Sequence, residues 1–220
     1  WTLGGYPSVS LKLASEIFEG DFDYDKWLNE NFSENAKVVK KAVKEFSDGF
    51  RYYPCNIVTL YKGSQHVGPT NLLYAENTEH SATMVCFPYD DVNVWRGSFS
   101  LDDFVANFNK LLEFWQKGLD LLKGVSGNEN FEQLKRYAEV VFVNIKSVLV
   151  QIEFNEQRQG KNKDLILSLL EEERELTKRL YKLASSDAKI GYEASNHYFF
   201  TQNSFLEKLL NIDALEKLYK

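Results

Sequence analysis

Any chemistry in this chain would have to come from its segments rich in Gly, Pro and aromatic residues. The first runs Tyr61-Lys62-Gly63-Ser64-Gln65-His66-Val67-Gly68-Pro69-Thr70-Asn71-Leu72-Leu73-Tyr74. Its glycines let backbone approach a ligand, and Gln65, His66 and Asn71 carry donors and acceptors that could orient one. It lacks the Gly-Lys-Ser/Thr ending of a phosphate loop. A loop packed onto a neighbouring domain accounts for the same Gly and Pro content. The second segment is Phe87-Pro88-Tyr89-Asp90-Asp91-Val92-Asn93-Val94-Trp95-Arg96-Gly97. Asp90, Asp91, Trp95 and Arg96 have the composition of a polyol site: carboxylates accept hydroxyl protons, Arg donates, and an indole face stacks on a sugar ring. The competing roles are Asp as a turn or helix cap and Trp as core.

The third segment, Gly191-Tyr192-Glu193-Ala194-Ser195-Asn196-His197-Tyr198-Phe199-Phe200, places Glu193 and His197 four residues apart, as in half of a metal-binding helix. No His-Glu-x-x-His accompanies them, and His66, His80 and His197 lie far apart in sequence. Neither a metal nor a cofactor is therefore expected, and the aromatic run is expected to dock against helices. The fourth is the opening Trp1-Thr2-Leu3-Gly4-Gly5-Tyr6-Pro7-Ser8, where a Trp before a Gly-Gly turn could floor a sugar subsite. Cys55 and Cys86 lack a catalytic context and no Gly-x-Ser-x-Gly elbow is present, so no catalytic residue is assigned.

Composition narrows the partners. The formal net charge of −6 over 220 residues opposes a nucleic-acid backbone as ligand. No apolar run approaches the roughly 18–20 residues that cross a bilayer, so no membrane is expected. Two cysteines make neither a disulfide framework nor a four-ligand metal site, and they favour a cytoplasmic setting. The chain opens on Trp1, and its single Met is Met84. The expectation is a fragment of a longer protein.

The elements that must position these segments are helical. Ser8 or Ser10 could cap a helix through Phe18; a second helix is expected over Tyr24–Phe32. Ser33 reads as the N-cap of a third, with Ala36, Val39, Ala42, Val43 and Phe46 on one face. Residues 54–100 are punctuated by Pro and Gly and leave room for one short helix near Asn56–Lys62. Ser100-Leu101-Asp102-Asp103 then reads as a capping box, and Phe104, Phe108, Leu111, Leu112 and Trp115 mark the face that follows. A helix over about 130–159 is apolar on nearly every side and is expected at the centre. Leu165, Ile166, Leu169, Leu170, Leu176 and Leu180 mark the next, whose charged side carries Glu171-Glu172-Glu173-Arg174-Glu175. Short turns force these long helices to be antiparallel neighbours. The expected fold is all-α: an antiparallel bundle of three long helices over 101–187, shorter helices over 1–53, an irregular aromatic layer over 54–100, and a loop with a C-terminal helix over 188–220.

Taken together, Trp1–Ser8, Gly68-Pro69-Thr70-Asn71-Leu72-Leu73, Phe87-Pro88-Tyr89-Asp90-Asp91…Trp95-Arg96-Gly97 and Glu193-Ala194-Ser195-Asn196-His197-Tyr198 resemble the C-terminal helical region of large, poorly characterised bacterial proteins similar to glycoside hydrolases. The resemblance covers nearly all of the chain. It implies a (β/α)₈ barrel upstream that holds the catalytic acids, and a place for Trp1, Asp90, Asp91, Trp95 and Arg96 near a carbohydrate-binding cleft. The partners it implies are that upstream catalytic domain of the same polypeptide and a carbohydrate. On this reading the chain is an accessory domain, not catalytic alone. The alternatives are a self-contained helical protein that binds a small molecule between bundle and loop layer, a stand-alone enzyme using Asp90 or Glu193 with His197, and an interaction scaffold.

Overall fold

Long amphipathic stretches that must bury one face, and a Pro- and Gly-punctuated stretch that folds onto them, build this structure. The computed structural model describes residues 9–20, 22–80, 82, 88–193, 198–199 and 201–220. The fold is all-α, an antiparallel helical bundle. Its helices are α1 (Val9–Glu19), α2 (Tyr24–Phe32), α3 (Ala36–Phe50), α4 (Ile57–Tyr61), α5 (Val92–Trp95), α6 (Leu101–Leu122), α7 (Glu129–Gln157), α8 (Lys163–Ser186) and α9 (Gln202–Tyr219). A two-residue antiparallel pair, β1 (Tyr192–Glu193) with β2 (Tyr198–Phe199), precedes α9.

Local sequence sets most of the helix ends. Asp23, Asn56, Ser100, Asn128 and Asn162 cap α2, α4, α6, α7 and α8 through side-chain oxygens that accept backbone N–H groups. At Ser100 the acid of the expected box does not reach the backbone. Instead Asp103 Oδ2 accepts the Ser100 hydroxyl at 2.7 Å while that oxygen accepts from Asp103 N at 3.0 Å. Of the two serines offered as the cap of α1, Ser10 lies inside the helix and Ser8 lies outside the described residues. The cap expected at Ser33 is not used. Ser33 takes φ +51°, closes α2 and opens a 3₁₀ turn over Ser33–Asn35. Asn35 then precedes α3 without capping it, because its amide donates across the fold to Ser126 O at 3.0 Å.

In space α3 packs on α6, α6 on α7, α7 on α8 and α8 on α9. The α3–α6 approach depends on Gly118, where an added Cβ would stand 2.3 Å from Phe46 Cε1. Phe46 in turn lies 4.6 Å from the Trp115 ring, and the Trp115 indole N–H donates to Ala138 O of α7 at 2.8 Å. α7 is central, as its all-round apolarity requires. Phe131, Ala138, Ile145, Val148 and Ile152 enter a core shared with α2, α3 and α6. Val140, Val143, Val150 and Phe154 enter a second core shared with α8 and α9.

Residues 63–71 fold as two 3₁₀ turns, Ser64–His66 and Gly68–Thr70, pressed onto this second half of the bundle. All nine are buried. Here the charged side expected for α8 needs correction. Glu173 is not on the solvated face with Glu171 and Glu172 but is fully buried, because the polar loop layer covers that side of α8.

Candidate functional site

The polar centre of the molecule is built from the loop layer inward. Gly68 has φ +54° and presents its carbonyl to Gln151 Nε2 of α7 at 2.9 Å. Gln151 Oε1 accepts from Asn71 Nδ2 at 2.9 Å, and the same amide group donates to Tyr89 O at 2.9 Å. Asn71 is thereby joined to both the bundle and the second loop segment. Beneath it, Glu173 of α8 accepts from Ser147 Oγ at 2.9 Å, from Gln151 Nε2 at 2.9 Å and from Lys208 Nζ of α9 at 3.0 Å. All three partners donate, so the carboxylate oxygens are satisfied entirely by buried donors. Lys208 also donates to Asn71 O. Neither Glu173 nor Lys208 has any solvent exposure. Burial pulls the Lys208 ammonium below its ordinary pKa, and Glu173 opposes that pull.

Further clamps act on the loop backbone. Asn211 receives Leu73 N and donates to Leu73 O, both at 2.9 Å. Arg158 donates to Tyr74 O at 3.1 Å and Asp90 O at 3.2 Å, and its own carbonyl accepts from Tyr219 OH at 2.8 Å. The loop layer is held in place by hydrogen bonds from α7 and α9 and by the Thr177 hydroxyl of α8, which donates to Pro69 O at 3.3 Å.

The sequence-derived candidates fall in this layer. Asp90 is buried, and its Oδ2 accepts from Thr78 N at 2.7 Å. Asp91 caps α5 by accepting from Asn93 N at 2.9 Å. Trp95 is 1% exposed, its ring enclosed in the first core. Arg96 donates to Phe99 O at 2.6 Å and to Asn93 Oδ1 at 3.0 Å. Asp90, Asp91 and Trp95 do meet, with Lys62 and His80, around a concavity of about 10 Å³; that is roughly room for one water. Arg96 is not part of its lining. Trp1 and His197 lie outside the described residues, as does Cys86, while Cys55 is an exposed free thiol.

His66 is buried 5.8 Å from the Tyr89 ring and 6.4 Å from Tyr61. Beside it, the Ser64 hydroxyl, both ends of the Gln65 amide and Asn144 Oδ1 are buried without a hydrogen-bond partner among the described residues. A larger open groove of 550 Å³ lies away from these residues, between Val105 of α6 and Leu149 and Ile152 of α7, with Asp102, Glu153 and Glu156 at its rim. Among the described residues, no group of three His, Cys, Asp or Glu side chains could hold a metal ion. No helix among them is long and apolar enough to cross a membrane.

Sequence reasoning found Asn71 but missed Ser147, Gln151, Glu173 and Lys208. The available signal was polar residues inside otherwise apolar helix faces: Ser147 and Gln151 in the middle of α7, and Lys208 in α9. Comparison of the chain with protein-family models, with curated proteins and with solved structures finds no match.

Proposed function

We propose that this chain is an accessory helical domain of a carbohydrate-active enzyme of the glycoside hydrolase-like kind, holding a rigid loop layer against the cleft of a catalytic domain in the same polypeptide. One observation carries the reading. The buried ion pair of Glu173 with Lys208 has no solvent access, and with Gln151 it is engaged in fixing residues 68–71. Groups so enclosed cannot reach a substrate; what they achieve is a buried loop layer that keeps its shape and so holds the segments around it. That is the task of a support, and Asp91, partly exposed beside the buried Asp90, is the acid placed to meet hydroxyls.

The test is oligosaccharide affinity and turnover of the full-length protein with Asp91→Asn, which retains an oxygen able to cap α5 while removing the charge. Weakened affinity with an unchanged melting temperature is the expected result. Affinity and turnover equal to the unsubstituted protein would count against a carbohydrate role for this corner.

A second reading, a self-contained binding protein, is favoured by one different observation. The Ser64 hydroxyl, the Gln65 amide and Asn144 Oδ1 are buried donors and acceptors with no partner among the described residues, a costly arrangement if it serves nothing. Calorimetric titration of the 220-residue chain alone with small polyols and amides separates the two. Saturable binding abolished by Gln65→Leu supports the second reading; silence supports the first.

A further inference from the structure

α9 is apolar on two sides. Phe205, Ile212, Leu215 and Tyr219 turn into the second core. On the other side Leu206, Leu210 and Leu218 remain 56%, 69% and 63% exposed, with Ala214 exposed between them. At 100° per residue, the buried set and the exposed set occupy opposite arcs of the helix. Residues 206, 210, 214 and 218 follow one another at intervals of four, which makes a continuous ridge over three turns. Single exposed leucines are ordinary on a protein surface, whereas an unbroken apolar ridge is not.

We propose that this ridge is the interface between two copies of the chain, with their α9 helices antiparallel about a twofold axis at the level of Ile212. The charges beside the ridge select a second copy and its direction. An antiparallel pair centred there sets Leu210 against Ala214 of the second copy and Leu206 against Leu218. It also sets Glu207 against Lys217 of the second copy, and by symmetry Lys217 against Glu207. Glu207 and Lys217 are both exposed, and neither has an ion-pair partner among the described residues. Parallel pairing would instead place Glu207 on Glu207 and Lys217 on Lys217. Ala214 adds a steric argument: a small residue opposite a leucine lets the axes come within about 8–10 Å. The contact is isologous and self-limiting, as closed dimers require.

A patch one helix wide lies at or below the low end of specific interfaces, so the dimer is weak, with a Kd of about 10–100 μM. Sedimentation equilibrium of the whole chain over concentrations bracketing that value tests it. The expected result is a reversible monomer–dimer equilibrium that Leu210→Glu abolishes without changing the far-UV circular dichroism. Glu207→Lys weakens association about tenfold, since each dimer contains the contact twice. Glu207→Lys combined with Lys217→Glu restores it. A chain that stays monomeric throughout overturns the proposal, as does a dimer indifferent to Leu210→Glu or a double charge swap that restores nothing. Should Leu210→Glu fail to fold, the charge swap, which alters only exposed side chains, decides alone.

Discussion

Glu173 of α8 and Lys208 of α9 stand 3.0 Å apart with no water access to either, and Lys208 simultaneously holds the Asn71 carbonyl of the loop layer. The contact joins three parts of the chain that are distant in sequence. It couples the loop layer to the two last long helices, because parting α8 from α9 would strand a buried charge and removing the loop would deprive Lys208 of an acceptor.

Removing one partner leaves an uncompensated ion in a low-dielectric interior, so Lys208→Met or Glu173→Leu should each cost about 3–5 kcal/mol. The double variant, which buries two apolar side chains instead, should recover most of that loss. Urea denaturation of the four proteins measures it as a cycle. Additive losses in the double variant would show that the two residues act separately.

Gly68 is the backbone pivot of the same network. An added Cβ would lie 1.7 Å from Asn144 Oδ1, and the residue sits at φ +54°. Gly68→Ala should therefore destabilise by more than about 1 kcal/mol. Adding Asn144→Ala relieves the collision but not the dihedral strain, so thermal denaturation should show partial recovery only.

The candidate corner divides by packing. Trp95→Ala should cost about 3–5 kcal/mol, since the ring is in the core. Asp91→Ala should cost about 1 kcal/mol through loss of the α5 cap. Arg96→Ala, whose guanidinium serves one short turn, should cost less than either. Chemical denaturation of the three variants gives the ranking, and a Trp95→Ala protein as stable as the parent would contradict the burial described.

On the exposed face of α6, Glu113 sits between Lys110 at 2.7 Å and Lys117 at 2.9 Å. Their hydrogen bonds hold its carboxyl down to about 2, against an ordinary 4.5. The folded state favours the ionised form, so whatever stability this cluster provides is present above about 4.5 and is lost as pH falls towards about 2. Exposure and salt screening keep the contribution small. A carboxyl carbon NMR titration should find Glu113 titrating far below its neighbours, and Lys110→Ala with Lys117→Ala should return it towards the ordinary value.

Periodicity and caps made the helices legible before any coordinates. The ranges of α2 and α6 to α8 follow from apolar spacing, from Ser100 and from the short turns between them, because each of these signals acts within a few residues of where it is read; the caps at Asp23, Asn128 and Asn162 emerged only in the structure. Ser33 was misread as the cap of α3 because it takes the closing turn of α2 instead. The loop segment containing Asn71 stood out by composition alone. Asp90, Asp91 and Trp95 were also visible as a group, but composition could not show that Trp95 fills the core while Asp91 caps a turn.

What the sequence determined by itself is the all-α class, the long antiparallel helices and the position of the irregular layer between them, since each rests on local propensity and hydrophobic period. Only the tertiary structure decided that Glu173, written into a run of acids, turns inward to meet Lys208, and that Leu206, Leu210 and Leu218 stay outside. Burial of a charge depends on which donors arrive from other segments, and exposure of a leucine depends on which neighbour fails to cover it. Neither is a property of the residues adjacent in the chain.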